Sequence, residues 1–270
     1  MNVYVNAVRG MDDAIVSMFM SKPGSWSREL ETQIYETVRD NTDYRGRFLA
    51  LQKGLNLENM RKGLEDLPAP HPTYEVRKRE VESIDRYIDW MDKLLKWGKK
   101  HITMLRFIDI TISVEGLHRA GQDDLDAHAK RMDNRIIRNS TRDKTSEFGS
   151  KVSEYYEDKV IPTDVALAML GIIIPDTLEY DGKTYVRAAN GYILKGMENV
   201  PDVRRGLFYL ALPSNCIFKV NVTEFAHIYK MRNEHTRAHP ELQRAIELIC
   251  DQLLTFYPGF TRELLLAIEN

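Results

Sequence analysis

The stretch "FIDITISVEG", Phe107–Gly116, decides the class of fold. Just before it, Ile84, Tyr87, Ile88, Met91, Leu94 and Leu95 recur at helical spacing among charged residues. That stripe predicts an amphipathic helix from Val76 to Trp97. Within the quoted stretch the period drops to two. Ile108, Ile110, Ile112 and Val114 alternate with Asp109, Thr111, Ser113 and Glu115, which is the pattern of one half-buried strand.

Toward the N-terminus, Val3, Val5 and Ala7 alternate with Asn2, Tyr4 and Asn6 and predict a short strand. Pro23, Gly24 and Ser25 then interrupt a helical region before "WSRELETQIYETVRD", where Leu30, Ile34 and Val38 predict a helix. "LEDLPAPHPTYE" carries Pro68, Pro70 and Pro72 and is expected to be an extended connector, because each proline lacks a donor and restricts its predecessor.

Toward the C-terminus, Leu117, Leu125 and Ala129 predict a helix, followed by the basic "KRMDNRIIRNSTRDK", whose charges require a bound anion or water. Thr163 is placed to cap "DVALAML", which runs into "GIIIP". "LEYDGKTYV" reads as a hairpin, since Asp181 and Gly182 accept the positive φ of a two-residue turn. Helical "DVRRGLFYLAL" from Pro201, strand-like "NCIFKVN", and a final helix begun by Pro240 with Leu242, Ile246, Ile249 and Leu253 on one side complete the chain. Long helices mixed irregularly with strands predict an α+β fold with a mixed sheet. One domain over residues 1–270 is expected, with a helical portion at about 1–100 and a core at about 101–260.

The 270 residues are 43% hydrophobic, and 38 basic side chains nearly balance 40 acidic ones. No overall positive field exists to hold nucleic acid or an anionic membrane. Only two cysteines occur, Cys216 and Cys250, which suits a reducing cytoplasm without a structural disulfide. No 18-residue apolar run and no leader pattern appear, so a soluble cytoplasmic protein is expected. Glycine-rich dinucleotide and phosphate loops, paired-cysteine zinc spacings and a nucleophile elbow are absent.

Chemistry gathers in "NVTEFAHIYKMR", Asn221–Arg232. Val222, Phe225, Ala226 and Tyr229 share one helical face and are expected in the core. Asn221 and Arg232 then fall on one margin and His227 on another. Arg232 offers a planar donor fork for a phosphate or a base carbonyl. Taken alone, the structural reading is the stronger: a lone histidine on a helix margin is more often a satisfied surface residue, and an arginine at a helix end often caps carbonyls.

This segment resembles the C-terminal core of flavin-dependent thymidylate synthases, approximately N-A-R-x-L-x-H-F-x-x-L-R, with Asn221, His227, Met231 and Arg232 at matching positions. Val222 and Thr223 replace the small residue and arginine of that pattern. "RAHPELQRA" resembles its A-Q-x-E-I-R continuation, offset by one residue. Arg205 stands sixteen residues before Asn221, where the family has an arginine, and Arg204 competes with it. Upstream, "VEGLHRA" resembles E-G-x-S-R-A through Glu115, Gly116, Arg119 and Ala120. The family's Arg-His-Arg element is altered. Aligning forward from the strand places Ala127-His128-Ala129 there, whereas aligning back from Ser140 and Arg142 places Lys130-Arg131-Met132.

The resemblance implies an enzyme that methylates dUMP at C5, with methylenetetrahydrofolate as carbon donor, reduced FAD as hydride donor and NADPH recharging the flavin. It implies that Arg205, Ser140 and Arg142 bind the nucleotide's phosphate or sugar and that Arg232 acts on the pyrimidine carbonyls. Asn221, His227 and His128, with Lys130 and Arg131 as the alternative clamp, would approach the flavin. Family members are homotetramers. Two rivals stand beside this reading: a C5 hydroxymethylase or other-nucleotide methylase on the same scaffold, and a non-enzymatic nucleotide-binding relative without flavin.

Overall fold

The structure is a computed structural model that describes residues 1–42, 62, 74–126, 135–138, 152–156, 159–161, 163–188, 190–200, 212–234, 239–257 and 260–268. In chain order the elements are β1 (Asn2–Arg9), α1 (Met11–Met20), α2 (Arg28–Thr42), α3 (Tyr74–Gly98), α4 (Ile102–Leu105), β2 (Asp109–His118), α5 (Arg119–Asp126) and β3 (Arg135–Arg138). They continue with α6 (Thr163–Met169), β4 (Thr177–Tyr180), β5 (Lys183–Ala188), β6 (Gly191–Leu194), β7 (Pro213–Asn221), α7 (Val222–Tyr229), α8 (Pro240–Phe256) and α9 (Arg262–Ala267). The fold is α+β. Where a mixed sheet was expected, all described pairings are antiparallel and form two sheets, β1-β2-β7-β3 and β4-β5-β6.

The alternation in "FIDITISVEG" is the organising feature. Ile108, Ile110, Ile112 and Val114 are fully buried, and β2 lies between β1 and β7. Helix α8 packs on β1 and β2, burying Leu242, Ile246, Ile249 and Leu253. Helices α1, α2 and α3 pack on one another through Ile15, Ile34, Val38, Ile84, Tyr87 and Met91, and all belong to the same core as the sheet.

Three local expectations are corrected. The inward alternation of β1 does not run through Ala7: a register shift between Val5 and Ala7 makes Asn6 an extra residue, so Val3 and Val8 are the buried pair. Asn6 Nδ2 donates to Ser113 Oγ at 2.6 Å. Leu117 is not helical. It pairs with Ser214 inside β2, beyond an irregularity at Gly116, whose φ of 78° glycine adopts without a Cβ clash. Finally, α8 is not the last helix. Thr261 Oγ1 accepts from Leu264 N and starts α9, while Arg262 bridges to Glu247, Asp251 and Tyr229.

The hairpin is as read, with Tyr180 opposite Lys183 and positive φ at Asp181 and Gly182. Helix α6 begins on Thr163 itself. "GIIIP" forms neither helix nor strand, and Ile173 is 91% exposed. Residues 64–73 of the proline connector, residues 201–211, Ala129 and most of the basic stretch lie outside the described residues. Within that stretch Arg138 donates to the carboxylates of Asp123 and Asp126 on α5. Cys216 and Cys250 are free and buried, and burial pushes each thiol up to about 11. Among the described residues no helix is long and apolar enough to cross a membrane.

Candidate functional site

Strand β7 passes directly into α7, and Asn221 is the hinge between them. Its φ and ψ of −80° and 162° are extended, and its Oδ1 accepts from Glu224 N at 2.9 Å and from Thr223 Oγ1 at 2.5 Å. Asn221 is therefore the N-cap of α7. It is buried rather than marginal. Val222, Phe225, Ala226 and Tyr229 are buried as expected, but so are Thr223, Glu224 and Ile228, so the helix is enclosed nearly all round. His227 is half-buried and stands alone among the residues of α7 in reaching the surface.

After Tyr229 the chain widens into a π-helical turn, Lys230–Glu234. Such a turn inserts an extra residue and redirects the side chains that follow. Arg232, with its side chain 20% exposed, turns to α5: Nη2 donates to the Asp124 carbonyl at 3.3 Å and Nη1 lies 3.7 Å from the Asp124 carboxylate. The structure thus joins Arg232 to the helix that follows "VEGLHRA". Asn221 and Arg232 lie at opposite ends of the helical segment, roughly 16 Å apart by helical rise. Arg205, Ser140, Arg142, His128, Lys130 and Arg131 lie outside the described residues.

A second constellation adjoins this one. His118, the last residue of β2, is 1% exposed and its Nδ1 makes a short hydrogen bond with Glu241 Oε2. Ser153 Oγ donates to the same oxygen at 3.1 Å. His239 is the N-cap of α8: its Nδ1 accepts from Glu241 N at 3.2 Å, and its Nε2 pairs with Tyr156 Oη at 2.8 Å. Because Nδ1 accepts, neutral His239 carries its proton on Nε2 and donates to the tyrosine oxygen. The two imidazoles lie 4.1 Å apart between centroids, with Tyr155 4.6 Å from His239.

Electrostatics separates the roles of these groups. Burial, then the neighbouring His118, lowers the pKa of His239. Burial opposes the charge of Glu241, but the hydrogen bond and charge of His118 with the Ser153 hydroxyl outweigh it, and the carboxyl titrates below its usual range. Burial raises the Tyr156 phenol. Asp124, which holds Arg232, also acts electrostatically on His239, so the two constellations share an edge. Beside them opens a cleft of about 750 Å³ whose lining includes Asn2, Tyr155, Lys159, Glu241 and Arg244.

Sequence reasoning did not single out His118, His239, Glu241 or Tyr156. A signal was present: "VEGLHRA" carries histidine where the resembled pattern has serine, and "RAHPELQRA" carries histidine where it has glutamine.

No family model and no curated protein matches the chain. Among solved structures it is similar to thymidylate synthase X from Helicobacter pylori with FAD and dUMP, at a TM-score of 0.48 and 11% identity over 100% of both chains. A flavin-dependent thymidylate synthase ThyX from the same organism, complexed with FAD and dUMP, gives a TM-score of 0.46 and 12% identity over 98% of both chains.

Proposed function

We propose that the protein is a flavin-dependent, thymidylate-synthase-like enzyme that methylates dUMP at C5. The observation that carries this reading is the meeting of two resembling segments distant in sequence: Arg232, at the end of "NVTEFAHIYKMR", is held against α5, which continues "VEGLHRA". Arg232 would address the pyrimidine carbonyls with its guanidinium fork. Arg205, Ser140 and Arg142 would bind phosphate and sugar. His227, with His128 or the alternative Lys130 and Arg131, would meet the flavin, together with the amide N–H₂ of Asn221, whose oxygen is already used as a cap.

The described donors fit the two ligands in kind: the Asn221 amide N–H₂ suits a flavin carbonyl, and the Arg232 guanidinium, at the other end of the helical segment, suits the pyrimidine carbonyls. When bound, FAD supplies the hydride chemistry, with methylenetetrahydrofolate the carbon source and NADPH the reductant. The chain's part is orientation and charge stabilisation. A homotetramer is part of this proposal, and the exposed Met169, Leu170 and Ile173 support an associating surface.

A non-enzymatic nucleotide-binding relative is the second reading, favoured by Arg232 being already engaged by Asp124. The deciding experiment is FAD titration of the purified protein followed by dUMP-dependent NADPH oxidation in the presence of methylenetetrahydrofolate and mass analysis of the nucleotide. Flavin quenching with a methylated product supports the enzyme. Nucleotide binding without any flavin response supports the relative.

A further inference from the structure

We propose that His118, His239 and Glu241 form a binding site for one divalent transition-metal ion of the zinc type. Each residue offers one ligand atom, and those atoms all lie within 4.8 Å of one another. Two imidazoles and one carboxylate are a donor set suited to zinc, cobalt or iron(II) rather than to magnesium or calcium, which prefer oxygen.

The site is built rather than gathered by chance at a surface. His118 is fixed by the end of a central strand, and His239 and Glu241 by the first turn of α8, which Pro240 stiffens. His118 and Glu241 are buried. The surroundings also orient the ligands. Tyr156 Oη receives the Nε2 proton of His239 and leaves Nδ1 as that ring's lone-pair nitrogen. The Nδ1 partner in the structure is a backbone N–H at 3.2 Å, a long bond for an ion to replace. Between His118 Nδ1 and Glu241 Oε2 an ion would take the place of the proton those atoms share. Ser153 would still hold the carboxylate.

The positive end of α8 opposes a cation there. Glu241 within that first turn supplies the compensating charge. Three protein ligands leave a fourth tetrahedral position open, and Glu241 lines the adjoining cleft. Such an ion could polarise an oxygen of a ligand entering that cleft, independently of the flavin reading.

The test uses the full chain, stripped with a chelator and dialysed, then titrated with zinc by calorimetry and with cobalt by visible absorption. Near-stoichiometric zinc, one per chain, and cobalt bands of a tetrahedral site are expected. His239→Asn keeps a side chain that caps helices while removing the imidazole. It should weaken zinc by at least about a hundredfold, and Tyr156→Phe by roughly tenfold, the scale of losses around metal ligands. His101→Gln, a change of an exposed histidine outside the cluster, should bind as wild type. Circular dichroism establishes that each variant is folded, and Glu241→Gln replaces His239→Asn if the latter is not. The proposal is overturned if wild type takes up no zinc, or if wild type and the folded ligand variant bind it alike.

Discussion

His118 and Glu241, 123 residues apart in sequence, share a buried hydrogen bond that ties the end of β2 to the first turn of α8. Strand and helix are the central elements of the core, so the bond lies where the two halves of the chain meet. Truncating one partner leaves the other polar group buried without its counterpart. His118→Ala should cost about 3–5 kcal/mol by urea unfolding, the usual loss when one member of a buried pair is removed. The double variant His118→Leu/Glu241→Leu should lose less than the two single leucine changes together. Additive losses in this cycle would mean that the pair contributes no coupling.

Acid should lower the stability of the metal-free protein in two stages. Folded His239 titrates below its ordinary 6.5 and folded Glu241 below its ordinary 4.5. In both cases the unfolded chain binds the proton more readily, so stability is full above each ordinary value and falls as pH drops toward the folded one. Melting temperature measured from pH 8 to pH 4 at constant ionic strength should therefore decline first below about 6.5 and again below about 4.5. His239→Asn should abolish the first decline and leave the second, because His118, Glu241 and Asp124 are retained around it. A single decline in wild type would assign no role to His239.

The legibility of this chain followed the range of the interactions. Period-2 and period-3.6 patterns are local, so "FIDITISVEG", the helix around Ile84 to Leu95 and the Asp181-Gly182 turn were readable. The bulge at Asn6 was not, because an extra residue is defined only by its partner strand, which lies about a hundred positions away. The same holds for the site. Arg232 and Asn221 could be picked out by spacing, but spacing could not say that Asn221 caps its own helix or that Arg232 reaches Asp124. The His118, His239 and Glu241 cluster joins a strand end to a helix start, and neither segment alone contains it.

Asn221 therefore has two separable roles. Asn221→Ser retains an oxygen for Glu224 N and should keep stability within a few tenths of a kcal/mol, whereas Asn221→Ala should lose about 1 kcal/mol with the cap. Serine has no amide N–H₂. If that group meets the flavin, Asn221→Ser should weaken FAD about fivefold to tenfold while melting like wild type, in line with one lost hydrogen bond. Unchanged FAD affinity in this variant would make Asn221 a cap alone, and fluorescence quenching with thermal unfolding separates the outcomes.

Arg232 carries the sharpest test, because its place is fixed by the π-helical turn and by Asp124 rather than by the helix alone. A guanidinium there can hydrogen-bond a pyrimidine carbonyl and stabilise the negative charge that grows on the ring as C5 becomes nucleophilic. The same fork can instead serve only to hold α5, since Asp124 receives it in this structure. Lysine preserves the positive charge toward Asp124 but lacks the planar pair of donors. Arg232→Lys should therefore keep the melting temperature while lowering nucleotide-dependent flavin oxidation by on the order of a hundredfold, the usual loss for one such donor. Asp124→Asn provides the complementary arm: it removes the carboxylate but keeps the backbone carbonyl that Arg232 also contacts. If Arg232 acts on the ring, Asp124→Asn should leave substantial turnover because the guanidinium remains. Should Arg232→Lys turn over fully and melt several degrees lower instead, the arginine joins α5 to the turn after α7 and takes no part in chemistry.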